Sequence, residues 1–335
     1  MQSSAKQVRR VLVFGGSGTI GQAALDALVE AGHEVVAFLR KTSGVGGASS
    51  SADMAVRFPK VSLRFGDVTD PVSLREVAFA GAPFDAVVSC LASRTGAPKD
   101  AWAIDHDAHQ AMLLAGKDAG VPHFVLLSAI CVQKPNLAFQ KAKLAFEASL
   151  QTSGLTYSIV RPTAFFKSLS GQVARCQAGK PFLLFGDGEG TECKPISDRD
   201  LGRFLAACVT DPTMHNQVLP IGGPGPAMTP RQQGAMLFDL LGQEARYKHV
   251  PLRMMDVIVG VLATLGRLVP KLADKADLAR IGRYYATESM LVWDGARNRY
   301  DADATPEFGA DTLKSYYAAL IDGSAKLERG DHAVF

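Results

Sequence analysis

Gly15, Gly18 and Gly21 follow the apolar run Val11–Phe14 in the string VLVFGGSGTIG. Glycines at this spacing, between a strand pattern and a helix pattern, let a backbone turn sharply and approach a pyrophosphate closely. Ser17, Thr19 and Ile20 share that turn, and the N-terminus of the next helix would point its free N–H groups and positive dipole at the phosphates. An NAD site would carry an acid about 20 residues further on, to hold the ribose hydroxyls. Here Leu39 is followed by Arg40 and Lys41. Two cations and no acid favour the extra 2′-phosphate of NADP, and an arginine also stacks on an adenine face. The bland alternative is a solvated basic pair. Asp67-Val68 would meet the adenine amino group, or else start the next helix as an Asx turn. Cys90-Leu91-Ala92-Ser93 closes a further strand, where the backbone would pass beside the cofactor. The expected cofactor is NADPH.

Ser128 ends another strand pattern, and Lys143 stands four residues after Phe139 on the next helix. This arrangement resembles the short-chain dehydrogenase/reductase superfamily. The resemblance implies that Lys143 holds the nicotinamide ribose and places a positive charge near the nicotinamide. It also implies that Ser128 bonds the nicotinamide or the substrate. The departure is Phe139, where the superfamily has a tyrosine that protonates a carbonyl oxygen; phenylalanine has no proton to give. Either the chain does not catalyse, or its reaction needs no acid at an oxyanion. Hydride addition to a conjugated C=C meets the second condition, because the charge spreads into the π-system and the proton comes from water or another side chain.

Longer strings narrow the resemblance. SCLASRT at 89–95, LSAICVQKP at 127–135, FQKAKLAFE at 139–147 and VRPTAFFKS at 160–168 occur in order with CKPIS at 193–197, LPIGGPG at 219–225 and IGRYYATESM at 281–290. Together they resemble the NADPH-dependent divinyl chlorophyllide 8-vinyl reductases of plants and photosynthetic bacteria, from about Arg10 to the C-terminus. The resemblance implies reduction of the 8-vinyl group of divinyl chlorophyllide a, or of its protochlorophyllide analogue, to ethyl. The short N-terminus departs from the plant enzymes with their plastid transit peptide, so a bacterial, cytoplasmic form is expected.

A pigment of that kind is flat and carries a propionate. Lys134 and Lys167 would meet the carboxylate, unless they are ordinary surface lysines. Phe165, Phe166 and the run Phe182–Phe185, together with Phe139, would make an apolar wall, unless they are core. Arg161 would pair with a cofactor phosphate or a buried carboxylate. Tyr284 and Tyr285 are candidate proton donors, with water as the alternative. Asp105-His106-Asp107-Ala108-His109 invites a metal reading, but no third ligand is visible, so a solvated helix face is expected and no metal. Met254–Leu272 reads as a core helix first, and second as a surface helix near a membrane where a greasy pigment would be delivered.

The elements that must position these groups alternate. Strands are expected at 11–14, 34–39, 61–65, 86–90, 123–127, 157–160 and 217–221. Helices are expected at 22–31, 71–79, 105–119 and 137–153, with a Gly/Ser-rich loop at 43–53. Alternation of this kind gives βαβ units and a doubly wound parallel sheet, the atypical short-chain dehydrogenase/reductase architecture. The expected division is a dinucleotide-binding domain over 9–165, joined by the strand near 217–221, and a smaller substrate lobe over 166–195 and 223–327. The lobe is expected to be helical and loop-rich.

Composition narrows the class. The 335 residues carry a net charge of +3, too mild to argue for nucleic acid. The five cysteines include no C-x-x-C pair. Iron–sulfur or zinc ligand runs are therefore missing, which sets the chain apart from ferredoxin-dependent enzymes of the same reaction, and a reducing compartment is expected. The polar start, Met1–Arg10, reaches the first apolar run too soon for a signal peptide. No apolar stretch approaches the ~18 residues of a membrane span, although peripheral contact with a photosynthetic membrane is compatible with the pattern. Two rival readings stay open: a non-catalytic NADP(H) sensor on the same fold, and a reductase of small aromatic enones.

Overall fold

The computed structural model describes residues 8–43, 49–81 and 83–325. Apolar runs flanked by turns become parallel strands, the inner ones buried on both faces and the two edge strands only partly, as expected for a sheet covered by helices on each side. In chain order these are β1 (Arg10–Phe14), β2 (Glu34–Leu39), β3 (Ser62–Phe65), β4 (Ala86–Ser89), β5 (His123–Leu127), β6 (Thr156–Pro162), and, after an excursion, β8 (Gln217–Ile221). β7 (Phe182–Phe185) belongs to that excursion. The sheet order is β8-β6-β5-β4-β1-β2-β3, with every pairing parallel. The doubly wound sheet is thus as expected, and its direction of winding reverses between β1 and β4, where such folds bind ligands.

Within the first half of the chain, five described helices accompany the strands. They are α1 (Thr19–Glu30), α2 (Ser51–Arg57), α3 (Pro71–Ser73, continued by a π-helical turn over Leu74–Ala78), α4 (Pro98–Ala101, a π-helical segment Trp102–Ala108, then His109–Asp118) and α5 (Ala138–Gln151). α1 starts before the expected Gln22 because the extended Gly18 caps it directly. α2 takes the end of the loop expected at 43–53; residues 44–48 of that loop lie outside the described residues. α4 starts at Pro98 rather than Asp105, with proline at its first position, a place that tolerates the missing N–H. One core lies on each face of the sheet, Val11, Val13, Leu25 and Leu28 on one and Leu12, Phe14, Phe124 and Phe146 on the other.

Beyond β6 the chain forms two short helices, α6 (Phe166–Leu169) and α7 (Val173–Gln177), then β7, then α8 (Asp198–Thr210). The sequence reading assigned nothing to α8, although the Ser197 cap and the acidic first turn were visible signals. α8 crosses α1 so closely that a Cβ on Gly202 would sit 2.5 Å from the Ala23 carbonyl. The last third holds α9 (Pro230–Leu240), β9 (Tyr247–Val250), α10 (Leu252–Gly266), α11 (Pro270–Tyr285), the hairpin β10 (Val292–Asp294) and β11 (Arg299–Asp301), and α12 (Leu313–Asp322). It is therefore not only helix and loop: β9 pairs in parallel with β7, and β10 antiparallel with β11. A third core, with Phe166, Phe182, Phe238 and Tyr317, sits here.

Met254–Leu272 is not a core helix. No residue of α10 is buried. Its inner face packs on α11, where a Cβ on Gly266 would lie 2.8 Å from Ala273 backbone. Its outer face leaves Met254, Val257, Ile258, Val261 and Leu265 exposed. That spacing is one helical stripe.

Candidate active site

The glycine turn closes onto the sheet at its reversal point. Gly15 has φ +75°, and a Cβ there would lie 2.6 Å from the Cys90 carbonyl carbon and 2.7 Å from Leu91 N. The turn after β1 therefore rests on the backbone after β4. A Cβ on Gly21 would lie 2.0 Å from Gly15 O. Gly18 is the more open of the three, with only Gly15 O at 3.4 Å. It caps α1 without a side chain, and the first turn holds no acid. Gly18 N–H is taken by Gly15 O at 3.0 Å, but a helix start leaves its first N–H groups without helical carbonyls, so the turn presents the donors of Thr19 and Ile20 to an anion. Arg40 and Lys41 are both exposed just past β2, with no acid between them. Glycines, uncapped donors and paired cations fit NADPH. Asp67 takes the Asx-turn alternative: its Oδ1 accepts from Thr69 N at 2.8 Å and Thr69 Oγ1 at 2.7 Å, which lowers its pKa. Val68 beside it is buried in the core.

Across the turn, Lys143 is only 7% exposed. Its Nζ lies 3.0 Å from Asp105 Oδ1. The same oxygen accepts from Ser93 N at 3.2 Å, so one carboxylate ties the loop after β4 to α4 and α5, leaving Ala92 exposed and Leu91 partly covered. Asp105 lies in the π-helical segment, and its Oδ2 is buried with no partner. The solvated face expected for 105–109 is therefore corrected: Asp105 and His109 are each 1% exposed. His109 Nδ1 donates to Ile104 O at 2.8 Å and Nε2 accepts from Ser89 Oγ at 2.9 Å. Burial, reinforced by the Lys143 charge, pushes its pKa down to about 4. It is a neutral structural imidazole. Among the described residues no three His, Cys, Asp or Glu side chains gather as a metal set.

Ser128 is buried, and its hydroxyl donates to Glu147, which also takes the Arg161 guanidinium. Arg161 thus has its buried carboxylate. Phe139 and Lys143 share one face of α5, and the Phe139 ring lies 3.4 Å from where a Cβ on Gly96 would be. Tyr284 is buried, with Cys131 O at 2.9 Å and Lys134 O at 3.1 Å from its hydroxyl. Tyr285 puts its hydroxyl 3.8 Å from Cys131 Sγ. Burial of the hydroxyls, the rest of Tyr285 being partly exposed, raises both phenols above their ordinary range.

The remaining candidates are redistributed. Lys134 is half-buried: it pairs with Glu288 at 2.6 Å and lies 4.4 Å over the Trp293 ring. Lys167 bonds Thr19 Oγ1 at 2.8 Å, which places it at the glycine turn. Phe166 and Phe182 are core, at 3% and 4% exposure, so they form no wall. Phe165 is partly buried against the sheet core. Glu147 and Asp198 escaped the sequence reading, and Asp105 was read only as part of a solvated face; single acids without a motif carry no signal until the fold pairs them.

A family model described as NAD(P)H-binding matches residues 15–212. Over 332 residues the chain is 48% identical to divinyl chlorophyllide a 8-vinyl-reductase, chloroplastic, of Cucumis sativus, covering 97% of this chain and 79% of that one. The Arabidopsis thaliana protein of the same name is 47% identical, with 96% and 79% covered. The fold is shared with an NADPH-dependent quinone oxidoreductase of Escherichia coli complexed with NADPH, at a TM-score of 0.64 and 17% identity over 92% of this chain and 99% of that one. By its matched NAD(P)H-binding region and its near-full-length relatives, the chain belongs to the family of divinyl chlorophyllide a 8-vinyl-reductases.

Proposed function

We propose that this chain reduces the 8-vinyl group of 3,8-divinyl chlorophyllide a, or of the protochlorophyllide analogue, to ethyl, using hydride from NADPH in chlorophyll or bacteriochlorophyll synthesis. The observation that carries this reading is the near-full-length likeness to reductases of that name. NADPH, when bound, supplies the hydride. The chain's own residues bind, orient and exclude water. The glycine turn and the uncapped start of α1 receive the diphosphate, while Arg40 and Lys41 receive the 2′-phosphate. Lys143, held by Asp105, anchors the nicotinamide ribose and keeps a positive charge beside the reacting carbons. Ser128 is held by Glu147 at the end of β5, beside that ribose position. Phe139, lacking a hydroxyl, suits a C=C acceptor, whose macrocycle spreads the incoming charge without an acid at an oxyanion. Tyr284 is spent on backbone carbonyls, which favours water as the proton source.

The pigment lies against the elements of 166–195 and 223–327, acting as a substrate lobe on the 9–165 domain; the last residues of that lobe are beyond the described ones. Phe139, Phe165 and the exposed edge of Tyr285 supply apolar surface to it. No helix among the described residues is long and apolar enough to cross a membrane. The exposed stripe of α10, with Arg253 and Arg267 at its two ends, supports peripheral contact with an anionic photosynthetic membrane, where the pigment partitions. Five free thiols suit a reducing compartment such as a bacterial cytoplasm.

The test is to mix purified protein with NADPH and divinyl chlorophyllide a and follow the Soret band and the chromatogram. The band should move to shorter wavelength as an 8-ethyl product appears. Tight NADPH binding with no change in any pigment would refute the enzyme reading and favour the NADP(H) sensor that the Phe139 position also suits. Turnover of flavonoid-like enones alone would favour the small-enone reductase.

A further inference from the structure

Lys167 is the second residue of α6, immediately after the strand and loop that follow Arg161. Its Nζ donates to Thr19 Oγ1 at 2.8 Å, joining positions 148 residues apart. Thr19 is the first residue of α1. Its backbone N–H belongs to the set that a helix start leaves unmet, and the Gly18 cap offers no side-chain oxygen to meet it.

The position of Lys167 is set by its neighbours and not by its own charge. Phe165 bridges Ile196, the Phe166 N–H donates to Ile196 O at 3.2 Å, and the Phe166 ring is sunk in the third core against Tyr316. Ser170 closes the short helix by donating to Phe166 O at 2.6 Å. The stem of Lys167 therefore leaves a clamped backbone and reaches toward α1 while partly buried.

A second unmet group faces it. Asp198, first residue of α8, has a buried Oδ1 with no hydrogen-bond partner. Burial pushes its pKa up to about 6, and the Lys167 charge opposes that rise. The carboxylate is near enough to be felt by Lys167 but does not bond it. An ammonium held at the uncapped start of a helix, with a nearby carboxylate that balances its charge without taking its donors, is arranged for an incoming anion.

We propose that Lys167 is a ligand of the NADPH diphosphate, delivered from the second half of the chain, and not the partner of the pigment carboxylate. The proposal rests on the NADPH reading of the glycine turn. A phosphate oxygen seated on the first N–H groups of α1 lies beside the Thr19 hydroxyl, and so within reach of Nζ.

The experiment compares wild type with Lys167→Met, using NADPH, 2′-AMP and divinyl chlorophyllide a as probes. 2′-AMP carries the adenosine and the 2′-phosphate but no diphosphate. Loss of one charge-assisted bond should weaken NADPH by about 10- to 100-fold. It should leave 2′-AMP unchanged and, at saturating NADPH, should move the pigment KM less than twofold. Arg40→Ala should weaken NADPH and 2′-AMP together. If Lys167→Met raises the pigment KM and spares NADPH, the proposal is wrong and the pigment reading of Lys167 returns. Equal weakening of NADPH and 2′-AMP would also overturn it, as general damage to the site. Lys167→Gln, read the same way, serves if the methionine variant does not fold. A wild type that binds neither NADPH nor 2′-AMP would instead sink the cofactor reading beneath the proposal.

Discussion

Lys143 and Asp105 form a buried ion pair, 3.0 Å apart, with side chains 9% and 0% exposed. Removing one partner strands the other charge, which costs about 3–5 kcal/mol. Lys143→Met and Asp105→Asn should each lower the urea midpoint strongly and abolish turnover. The double variant should recover more than half of the lost stability and none of the activity. Strictly additive stability losses would show that the pair is not a unit.

Arg40 stands past the end of β2, where an NAD site would carry its acid, and the acid whose pKa its charge helps to lower is Asp67, at the end of β3. Arg40→Ala should weaken NADPH by about 10- to 100-fold, the worth of a charged phosphate contact, and NADH by much less. Titration of both nucleotides decides it; equal losses would remove the 2′-phosphate argument.

His109 and His123 both have pKa values pushed down to about 4 by burial. The unfolded imidazole, near its ordinary 6.5, takes a proton first as the pH falls. Their contribution to stability is therefore complete above about pH 6.5 and is lost progressively down to about pH 4. Urea midpoints should hold level from pH 7 to 8 on this account and fall below pH 6.5. His109→Gln should make that acid limb shallower; an unchanged limb would mean that His109 does not contribute to it.

Gly21 and Gly32 separate crowding from backbone strain. Alanine at 21 would put Cβ 2.0 Å from Gly15 O, while alanine at 32 meets nothing within 4 Å despite φ +85°. Gly21→Ala should abolish NADPH binding. Gly32→Ala should cost about 1–2 kcal/mol and leave NADPH binding intact, as calorimetry would show.

Val257 and Val261 lie exposed on α10, at 64% and 52%. Val257→Asp with Val261→Asp should abolish flotation with anionic vesicles without moving the thermal midpoint by more than a degree or two. Undiminished flotation would remove α10 from the membrane reading.

Much of the sheet could be read in advance because parallel strands buried on both faces are unbroken apolar runs with turn residues at each end. The glycine turn was legible for the same local reason. What escaped reading depended on partners far away in sequence. Asp105 looks solvated in a DHDAH string until α5 brings Lys143 over it. Lys167 looks like a surface lysine until α6 is clamped against Ile196. α10 looks like core because its apolar residues run all the way round, and only the packing shows that one face has no protein cover.

β8 returns to the sheet only after the chain has built α6 to α8, so the two halves of the molecule are laced together. Gly222, just past β8, donates its N–H to Pro306 O and bridges Glu307. Lys194 reaches Glu307 at 2.6 Å, and Asp200 Oδ2 accepts from Ala310 and Asp311 N at 3.0 and 2.9 Å. A single cut by a protease would not free a self-standing nucleotide-binding fragment, and a recombinant chain stopped after β6 would lack an edge of its own sheet. Folding must therefore wait for contacts between distant stretches of chain, a topology that folds slowly and cooperatively.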